Sequence, residues 1–600
     1  MLWEWWTLMS NVIGKVLSSS PDSIVITIQS LKALEDNKEK LQIGQYLKIA
    51  DGNSNYIVSV INNIKAMDYS VEDDIKLIVE TQPIGSIVEN NFRRGTKNLP
   101  VPTEPVYVLD EGILDRIFGT DSEYNFPIGV LSQNENIQVK VNGDKFFGKH
   151  IAIVGSTGAG KSCTVAKILQ GAVGINNSLN NNSEEQKNAH IVIFDIHSEY
   201  SAAFSLAEEQ KFTLNNLSLD KMKLPYWLMN SEELESLFIE SNENNSHNQI
   251  SMFKNAVIFN KAKHNPTIND ITYDTPVYFD IKEVFNYIEN MNREVISKLE
   301  TENCPKLADN TLVRDRKQLY FDDVYEFVPQ STAAATKASN GPFYGEFNRF
   351  LSRLETKLND KRLNFLLNPT KEDGGLYSTN DFEELMKQFL GYINRANVTI
   401  VDLSGVPFEV LSITVSLIAR LVFDFSFHYS KIQHGKELLN DIPVMIVCEE
   451  AHNYIPRNGG AEYNSSKKSI ERIAKEGRKY GLSLMVVSQR PSEVSETILA
   501  QCNNFVSLRL TNPNDQNFVK NLIPDSTRNL GEILPNLAQG ECIVVGDSII
   551  MPTVIKMEKP MPEPKSQSVP FSQEWEQPWR EITFLEIIKR WRKEELERDA

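Results

Sequence analysis

The chain has 600 residues, of which 41% are hydrophobic and 24% are charged. This composition is ordinary for a globular protein, and the length requires about two to four domains because a single core stops growing well below this size. The 80 acidic and 62 basic side chains give a net charge of −18, which argues against a generally basic surface that coats nucleic acid but not against a local basic channel.

The first 110 residues are rich in short β-strand patterns. Alternating apolar runs occur at 23–28, 46–49, 56–60 and 75–79, and Asp51-Gly52 is a hairpin signal. Their spacing predicts a small barrel or sandwich over residues 1–110. A connector with three prolines, at positions 100, 102 and 105, follows the last of these strand patterns.

From residue 125 the pattern changes to strands alternating with helices. Continuous apolar runs occur at 150–154, 190–195, 398–403, 443–448 and 482–488, followed by a last pair at 505–510 and 541–545. Such runs predict an α/β core with a mainly parallel sheet covered on both faces. We assign residues 125–200 and 396–557 to this core and 201–395 to an inserted helical subdomain.

Residues 558–600 read as a proline-rich linker followed by a helix from Glu581 to Asp599. Six of the seven tryptophans lie near the two ends of the chain, at positions 3, 5, 6, 575, 579 and 591. Aromatic side chains outside a core favour a contact surface. The alternative is that both ends pack back on the body.

Cysteine spacing and hydropathy predict a reduced, cytoplasmic protein. The five cysteines, at 163, 304, 448, 502 and 542, show no metal-ligand spacing. The most apolar helix, Val410 to Phe427, carries Arg420 and Asp424 and is predicted to be too short and too charged to span a membrane. The apolar start of the chain lacks a basic region and a cleavage site, so no signal peptide is expected.

A phosphate-binding loop follows the apolar run at 150–154. The segment fits G-x-x-x-x-G-K-[ST], with a strand before it and a helix after it. Backbone N–H groups and the helix dipole would hold the phosphates, Lys161 would reach the β- and γ-phosphates, and the Ser162 hydroxyl would bind Mg²⁺. The predicted nucleotide contacts are Gly155, Ser156, Thr157, Gly158, Ala159, Gly160, Lys161, Ser162 and Cys163.

Two acids at the end of the run 443–448 are the predicted catalytic pair. A nucleoside triphosphatase needs an acid near Mg²⁺ and a carboxylate that orients the attacking water. Glu449 is predicted to hold Mg²⁺, through water, and Glu450 to activate the water. The alternative is a pair of solvated acids at a helix start, where the helix dipole favours them.

Further polar residues follow neighbouring strands. Gln489 ends the run 482–488 and is predicted to sense the γ-phosphate. Arg478 lies between two glycines, either as a helix C-cap cation or as an arginine that enters a neighbouring subunit's nucleotide site. His452 and Asn453 either support the acids or pack in the core. The segment from Asp195 to Tyr200 lies near the expected ligand crevice, where it could contact Mg²⁺ or link domains.

Over residues 10–555 the chain resembles the HerA-type ATPases of the FtsK–HerA superfamily, and six collinear motifs carry this resemblance. They are Gly155–Ser162, Phe194–Tyr200, Asp402–Gly405, Cys448–Tyr454, Glu476–Gly481 and Ser488–Ser492. The resemblance implies a RecA-like core, an N-terminal HAS barrel, ATP and Mg²⁺ as cofactors, a hexameric ring with duplex DNA in its pore, and an interfacial arginine at Arg478. The chain departs from the family pattern at Cys448-Glu449, Ile196 and Ser198.

Two segments are candidates for DNA contact, which in a pore would involve phosphates rather than bases. One is the Gly/Asn/Ser-rich loop after the acids, with Arg457, Lys467 and Lys468. The other is a predicted helix at 346–362, whose basic residues at 349, 353, 357 and 361 recur every four positions. A solvated helix face is the favoured interpretation of that stripe, and a DNA contact is the favoured interpretation of the loop.

The leading functional hypothesis is an ATP-driven DNA translocase or helicase. Members of the family work beside a nuclease or another effector, in DNA processing or anti-phage defence. The competing hypothesis is a nucleotide-dependent ring that scaffolds and activates a partner effector, such as a nuclease or a sirtuin-like NADase. A conjugation- or secretion-type ATPase is a third hypothesis, which the lack of a predicted membrane segment disfavours.

Overall fold

The computed structural model describes residues 12–28, 35–51, 55–66, 77–89, 91–119, 125–175, 186–205, 212–239, 246–460, 463–523, 525–565 and 569–592. Two units are distinguished, Met1–Pro564 and Lys565–Ala600. The predicted features at Trp3, Trp5, Trp6 and Gly52, and at the end of the C-terminal helix from residue 593, lie outside the described residues.

A closed antiparallel barrel forms the start of the first unit. Six strands circle in the order β2-β1-β7-β3-β4-β5, the pairing of β2 with β5 closes the ring, and β6 extends β5 outside it. Alternating apolar side chains such as Ile26, Ile49 and Val106 fill the interior. The strands are β1 Val12–Ser19, β2 Ile24–Ile28, β3 Tyr46–Ala50, β4 Tyr56–Ala66, β5 Leu77–Val88, β6 Asn91–Arg94 and β7 Pro105–Val108. The predicted barrel is confirmed.

The core is one mixed sheet, with eleven strands among the described residues in the order β12-β15-β11-β16-β17-β10-β18-β19-β20-β8-β9. The first seven strands in this order are parallel and the rest antiparallel. The strands are β8 Asn125–Leu131, β9 Asn134–Asn142, β10 Ile151–Val154, β11 His190–Asp195, β12 Leu214–Leu217, β15 Val398–Asp402, β16 Val444–Cys448, β17 Leu482–Ser488, β18 Asn504–Leu508, β19 Glu541–Gly546 and β20 Thr553–Lys556. The predicted α/β fold with a mainly parallel, RecA-like sheet is therefore correct.

Both faces of this sheet are buried, as continuous apolar strands require. One face packs on the helix that follows the phosphate loop and on side chains of the barrel. The other face packs on the long apolar helix at 408–434 and on the helical block before it. Helices of the core and its connections are α1 Glu111–Phe118, α2 Gly143–Phe147, α3 Lys161–Val173, α11 Phe408–His434, α12 Asn464–Glu476, α13 Glu496–Leu499 and α14 Pro513–Leu522.

Seven α-helices and two short strands are described in the block between β12 and β15. They are α4 Ser231–Phe238, α5 Ser246–His264, α6 Ile281–Arg293, β13 Val295–Ser297, α7 Arg316–Leu319, β14 Ala338–Asn340, α8 Asn348–Leu358, α9 Asn364–Leu367 and α10 Phe382–Phe389. A buried ion pair fixes α4 to α11, because the Arg420 guanidinium donates to Glu233 at 2.8 Å. Strand β12 falls inside the stretch predicted as an insertion, yet it pairs with β15 and is part of the core sheet.

Helix α11 differs from its prediction, which ended it at Phe427. It continues to His434 and is, among the described residues, long and apolar enough to cross a membrane by length and composition alone. However, 78% of its most apolar window is buried inside the fold. It is therefore a core helix, whose apolar surface packs on the sheet and on neighbouring helices.

The second unit contains α15 Phe571–Trp575 and α16 Phe584–Trp591 within its described part. The helix predicted from Glu581 starts three residues later, at Phe584. The side chains of Trp575, Trp579 and Trp591 are exposed. The cluster of C-terminal tryptophans thus presents apolar surface to solvent.

His150 joins the phosphate-loop strand to the neighbouring elements. Its imidazole is fully buried, Nδ1 accepts the Leu484 N–H at 3.0 Å, and Nε2 donates to the Ala474 carbonyl at 2.9 Å. Burial lowers the pKa of His150 from 6.5 to about 4. The neutral ring therefore connects β10, β17 and α12.

We predict that His150 makes folding stability depend on pH in the acid range. The unfolded chain binds a proton near pH 6.5 and the folded chain near 4, so stability falls as the pH drops from 6.5 towards 4. Between pH 7 and 5 the loss is about 2 kcal/mol. Urea unfolding midpoints at the two pH values measure it. His150→Gln, which keeps a donor and an acceptor, is expected to flatten this dependence, and the exposed His247→Gln is the control. Equal pH dependence in all three proteins would contradict the assignment.

Candidate phosphate-binding and hydrolysis site

The phosphate loop lies between β10 and α3, as predicted. Gly160 precedes α3 with a φ of 100°, a left-handed conformation that side chains rarely adopt. A Cβ at Gly155 would come within 2.9 Å of the Leu508 Cβ, so this position also requires glycine. The loop is braced from β18, because the Ser156 N–H donates to the Arg509 carbonyl at 2.9 Å. The backbone is therefore held in the shape that a phosphate needs.

Strand order brings the predicted catalytic residues to the phosphate loop. Strand β17 lies between β10 and β16, and all three are parallel, so their carboxyl ends meet at one edge of the sheet. Glu449 and Glu450 follow β16, and Gln489 follows β17. The parallel sheet thus assembles one site from segments almost 300 residues apart.

Lys161 crosses the tip of β17 and contacts both acids. Its Nζ lies 2.7 Å from Glu450 Oε1 and 3.4 Å from Glu449 Oε1. Lys161 is 7% exposed and each glutamate 2% exposed. The acids are therefore not a solvated pair at a helix start, because they share one buried cation.

The three charges shift one another's pKa. Burial raises the pKa of Glu449 to about 7, against the opposing effect of Lys161. Burial also acts to raise the pKa of Glu450, but the nearby Lys161 ammonium outweighs it and the pKa is lowered. For Lys161, burial acts to lower the pKa and the two carboxylates more than compensate. Glu449 therefore binds a proton more readily than Glu450 does.

Glu450 has the geometry of a residue held ready for a ligand. Its φ of 46° is an uncommon left-handed conformation for a glutamate, of the kind that clusters at functional sites. Its Oε2 is buried and has no hydrogen-bond partner among the described residues. His452 Nδ1 lies 3.3 Å from that oxygen and 3.2 Å from Ser488 Oγ, and burial lowers the pKa of His452. An oxygen without a partner in this pocket fits a bound water.

Gln489 links the phosphate loop to the acids. Its Nε2 donates to Glu450 Oε1, and its Oε1 accepts from the Thr157 hydroxyl. One amide therefore contacts the loop that would hold phosphates and the carboxylate that would hold water. This is the position that a γ-phosphate sensor needs.

The Asp195–Tyr200 segment contacts the acids through Tyr200. The Tyr200 hydroxyl donates to Glu449 Oε2 at 2.9 Å. The buried Asp195 carboxylate accepts the N–H groups of His197, Glu199 and Tyr200, at 3.2, 3.2 and 2.9 Å. Asp195 therefore shapes the backbone of this segment.

Arg478 lies at the other edge of the sheet. It belongs to a 3₁₀ turn, Gly477–Tyr480, just before β17 begins, whereas Gln489 follows the end of the same strand. Seven residues of strand span about 20 Å, so Arg478 does not reach its own phosphate loop. Its exposed guanidinium donates to Asn503 Oδ1 at 3.1 Å.

The candidate DNA-contact residues do not all lie in a loop as predicted: Arg457 precedes α12, whereas Lys467 and Lys468 lie on its first turns. Arg457 pairs with Glu496 at 2.6 Å, and Lys468 pairs with Glu232 at 2.7 Å. Lys467 donates to the Arg457 carbonyl at 3.1 Å. The predicted helix at 346–362 is shorter, α8 Asn348–Leu358, and Lys361 lies beyond its end.

Sequence reasoning missed several residues of the site. Tyr454 donates to the Glu449 carbonyl at 3.0 Å, and the Gly540 N–H donates to the Ala159 carbonyl at 3.1 Å. Thr511 contacts the phosphate loop through Ser156. The end of β18, next to a predicted phosphate-loop strand, was the available signal for Thr511. Nothing local marks Gly540.

We predict that Lys161→Met destabilises the nucleotide-free protein. It removes the cation from two buried carboxylates, a loss of about 3–5 kcal/mol. Because the pKa of Glu449 is about 7, protonation at pH 6 reduces the penalty relative to pH 8. Urea unfolding midpoints at both pH values measure this. The control is Lys167→Met on α3, whose partner Glu558 is largely exposed, with an expected change below about 1 kcal/mol. Equal losses in both variants would contradict the buried pair.

Comparison with known proteins gives a consistent result. The family model "Helicase HerA, central domain" matches residues 126–422. The probable DNA double-strand break repair helicase HerA of Methanocaldococcus jannaschii is 25% identical over 92% of this chain and 95% of its own length. The DNA double-strand break repair helicase HerA of Sulfolobus acidocaldarius is 24% identical over 96% of this chain and 99% of its own.

Solved structures with a similar fold include VirB4 of Thermoanaerobacter pseudethanolicus, with a TM-score of 0.42 and 13% identity over 76% of this chain and 100% of that chain. The plasmid coupling protein TrwB in complex with ADP and Mg²⁺ has a TM-score of 0.42 and 13% identity over 75% of this chain and 93% of that chain. The phosphate loop, the paired acids and the full-length relatives show that this chain is a P-loop ATPase similar to the HerA helicases.

Proposed function

We propose that this protein is an ATP-hydrolysing, hexameric DNA translocase that acts on duplex DNA with a partner nuclease or other effector. The observation that carries the proposal is the assembly of Lys161, Glu450 and Gln489 at the phosphate loop. HerA relatives of similar length are named DNA repair helicases, which supports DNA as the substrate.

The residues fit a magnesium nucleotide. Among the described residues there is no group of three His, Cys, Asp or Glu that could hold a metal alone, which suits an ion that takes most of its ligands from phosphates and water. Ser162 and the buried Glu449 carboxylate are the protein groups that would hold it. Bound there, the ion would neutralise charge on the β- and γ-phosphates.

Hydrolysis would begin from a water at the unpartnered oxygen of Glu450. The water oxygen forms a bond to the γ-phosphorus, the bond from that phosphorus to the β–γ bridging oxygen breaks, and the water proton passes to Glu450. Lys161 turns from the acids to the phosphates, and Gln489 reports whether the γ-phosphate is present through its contacts with Thr157 and Glu450. The products are ADP and inorganic phosphate.

The basic loop is suited to couple this chemistry to DNA. The segment leaves the site directly after Glu450, passes Arg457, continues into α12 with Lys467 and Lys468, and leads to Arg478. Its ion pairs with Glu496 and Glu232 are largely exposed, and such pairs contribute about 0–1 kcal/mol. DNA phosphates can therefore replace these carboxylates. Arg457, Lys467 and Lys468 are the proposed contacts.

A second candidate function is a nucleotide-dependent ring that scaffolds and activates an effector enzyme. The exposed Trp575, Trp579 and Trp591 of the C-terminal unit favour it, since exposed aromatic residues suit protein contacts. In this case translocation is secondary.

The test of the proposed function is the ATPase rate with and without linear duplex DNA. We expect stimulation that weakens as salt is raised, because phosphate contacts release counterions. Alanine at Arg457, Lys467 and Lys468 should reduce the salt dependence of DNA affinity by about one unit of slope per lost contact.

Glu450→Gln should bind ATP without turnover. Stimulation by a co-purifying protein but not by DNA would favour the scaffold.

We predict that Arg478 acts on the next subunit. Arg478→Ala should lower turnover by about 1000-fold while the ring still assembles. Mixed with inactive Lys161→Ala, random assembly gives about one interface in four with both side chains, so activity returns in the mixture. Steady-state ATPase assays with native mass measurement test this. Lys479→Ala is the control, because it removes another basic side chain from the same exposed turn. Absence of recovery in subunit-exchanged mixtures would contradict a shared site.

A further inference from the structure

The Tyr200 hydroxyl is a contact of the hydrolysis site that the proposed mechanism leaves unused. Tyr200 is fully buried and donates to Glu449 Oε2 at 2.9 Å. We propose that Tyr200 is a positioning residue, which fixes the Glu449 carboxylate in the orientation that receives a divalent metal. This inference rests on the proposed magnesium nucleotide site.

The two oxygens of Glu449 have different partners. Oε1 faces Lys161 at 3.4 Å, and Oε2 accepts from Tyr200. When Lys161 turns to the phosphates, its contact with Oε1 is given up, while the Tyr200 contact is independent of that movement. Terminal carboxylate torsions are soft, so a fixed donor on one oxygen decides where the other oxygen points.

Tyr200 is itself held in place from three sides. The Asp195 carboxylate accepts the Tyr200 N–H at 2.9 Å. The Gln170 amide on α3 donates to the Ala203 carbonyl at 2.9 Å, which ties the turn Tyr200–Phe204 to the helix after the phosphate loop. Ser198 donates to Asp402 at 3.0 Å and so links the segment to the tip of β15. A hydroxyl on such a rigid segment is suited to orient its partner.

These contacts also give Asp195 a part in this arrangement. Its two carboxylate oxygens are used by three backbone N–H groups, so they shape the segment that presents Tyr200. The motif at 194–200 would therefore act on the metal through Tyr200 and Glu449 in turn.

Tyr454 provides a matched control. It is also fully buried and also contacts Glu449, but its hydroxyl donates to the backbone carbonyl at 3.0 Å rather than to the carboxylate. Tyr200→Phe and Tyr454→Phe therefore remove the same atom from equally buried rings. If Tyr200 serves only in packing, the two substitutions should change metal affinity by similar amounts. If Tyr200 positions the Glu449 carboxylate, only Tyr200→Phe should weaken metal binding.

The experiment titrates Mn²⁺ into full-length protein with saturating ADP and follows free Mn²⁺ by electron paramagnetic resonance. We expect Tyr200→Phe to raise the Mn²⁺ dissociation constant about 10-fold, as outer contacts of metal ligands commonly do, and Tyr454→Phe to change it less than about 2-fold. In the same proteins, Tyr200→Phe should lower kcat with little change in KM for ATP. Melting curves and metal-free ADP binding verify that each variant is folded.

A second measurement separates orientation of the Glu449 carboxylate from a change in packing around Tyr200. In a Glu449→Gln background, the hydroxyl has no carboxylate to orient, so adding Tyr200→Phe should leave Mn²⁺ affinity unchanged. An equal loss in both backgrounds would overturn the inference, as would unchanged Mn²⁺ affinity in Tyr200→Phe alone. Failure of the wild-type protein to bind Mn²⁺ with ADP would instead overturn the proposed nucleotide site.

Discussion

The site depends on one buried cation shared by two buried carboxylates. Lys161 sits between Glu449 and Glu450, with 2.7 Å to the nearer oxygen, and each of the three side chains is almost inaccessible to water. Charges in such a place are stable only while they are paired. If Lys161 turns to phosphates, the acids need another positive charge, which a divalent metal supplies. We therefore expect binding of the nucleotide and binding of the metal to be coupled. Either one alone would leave uncompensated charge in the buried site.

The order of the strands determines which side chain lies between the phosphate loop and the two acids. Because β17 separates β10 from β16, the Gln489 side chain at its tip lies between the phosphate loop and Glu450. The segment from Glu449 to Arg478 then returns along α12 to the opposite edge of the sheet. The 13 residues of α12 span about 20 Å. One continuous segment thus carries the candidate catalytic acids, the basic residues and an arginine that lies far from its own phosphate loop, which is why we propose that this arginine acts on a neighbouring subunit.

Much of the fold could be predicted from the sequence because the signals are local. The apolar runs at 151–154 and 444–448 and the glycines of the phosphate loop each identify their own element. Contacts between distant segments carry no such signal. Tyr200 and Glu449 are 249 positions apart, and their hydrogen bond follows from strand order, which no periodicity encodes. Strand β12 was missed for the same reason, since Leu214–Leu217 pairs at the sheet edge without a continuous apolar pattern. The candidate acids could be found by sequence, but their shared cation and the hydroxyl that orients one of them could not.

The proposed binding of DNA is compatible with the net charge of −18 because of where the basic side chains lie. Arg457 and Lys468 are paired with exposed glutamates, so under our proposal DNA phosphates would replace one anionic partner by another and would need no generally positive surface. Exposed ion pairs are screened by salt and contribute little to stability, whereas removal of one charge from the buried cluster of Lys161, Glu449 and Glu450 is costly. The proposed function therefore combines a buried charge cluster for the chemistry with exposed charges for the polymer.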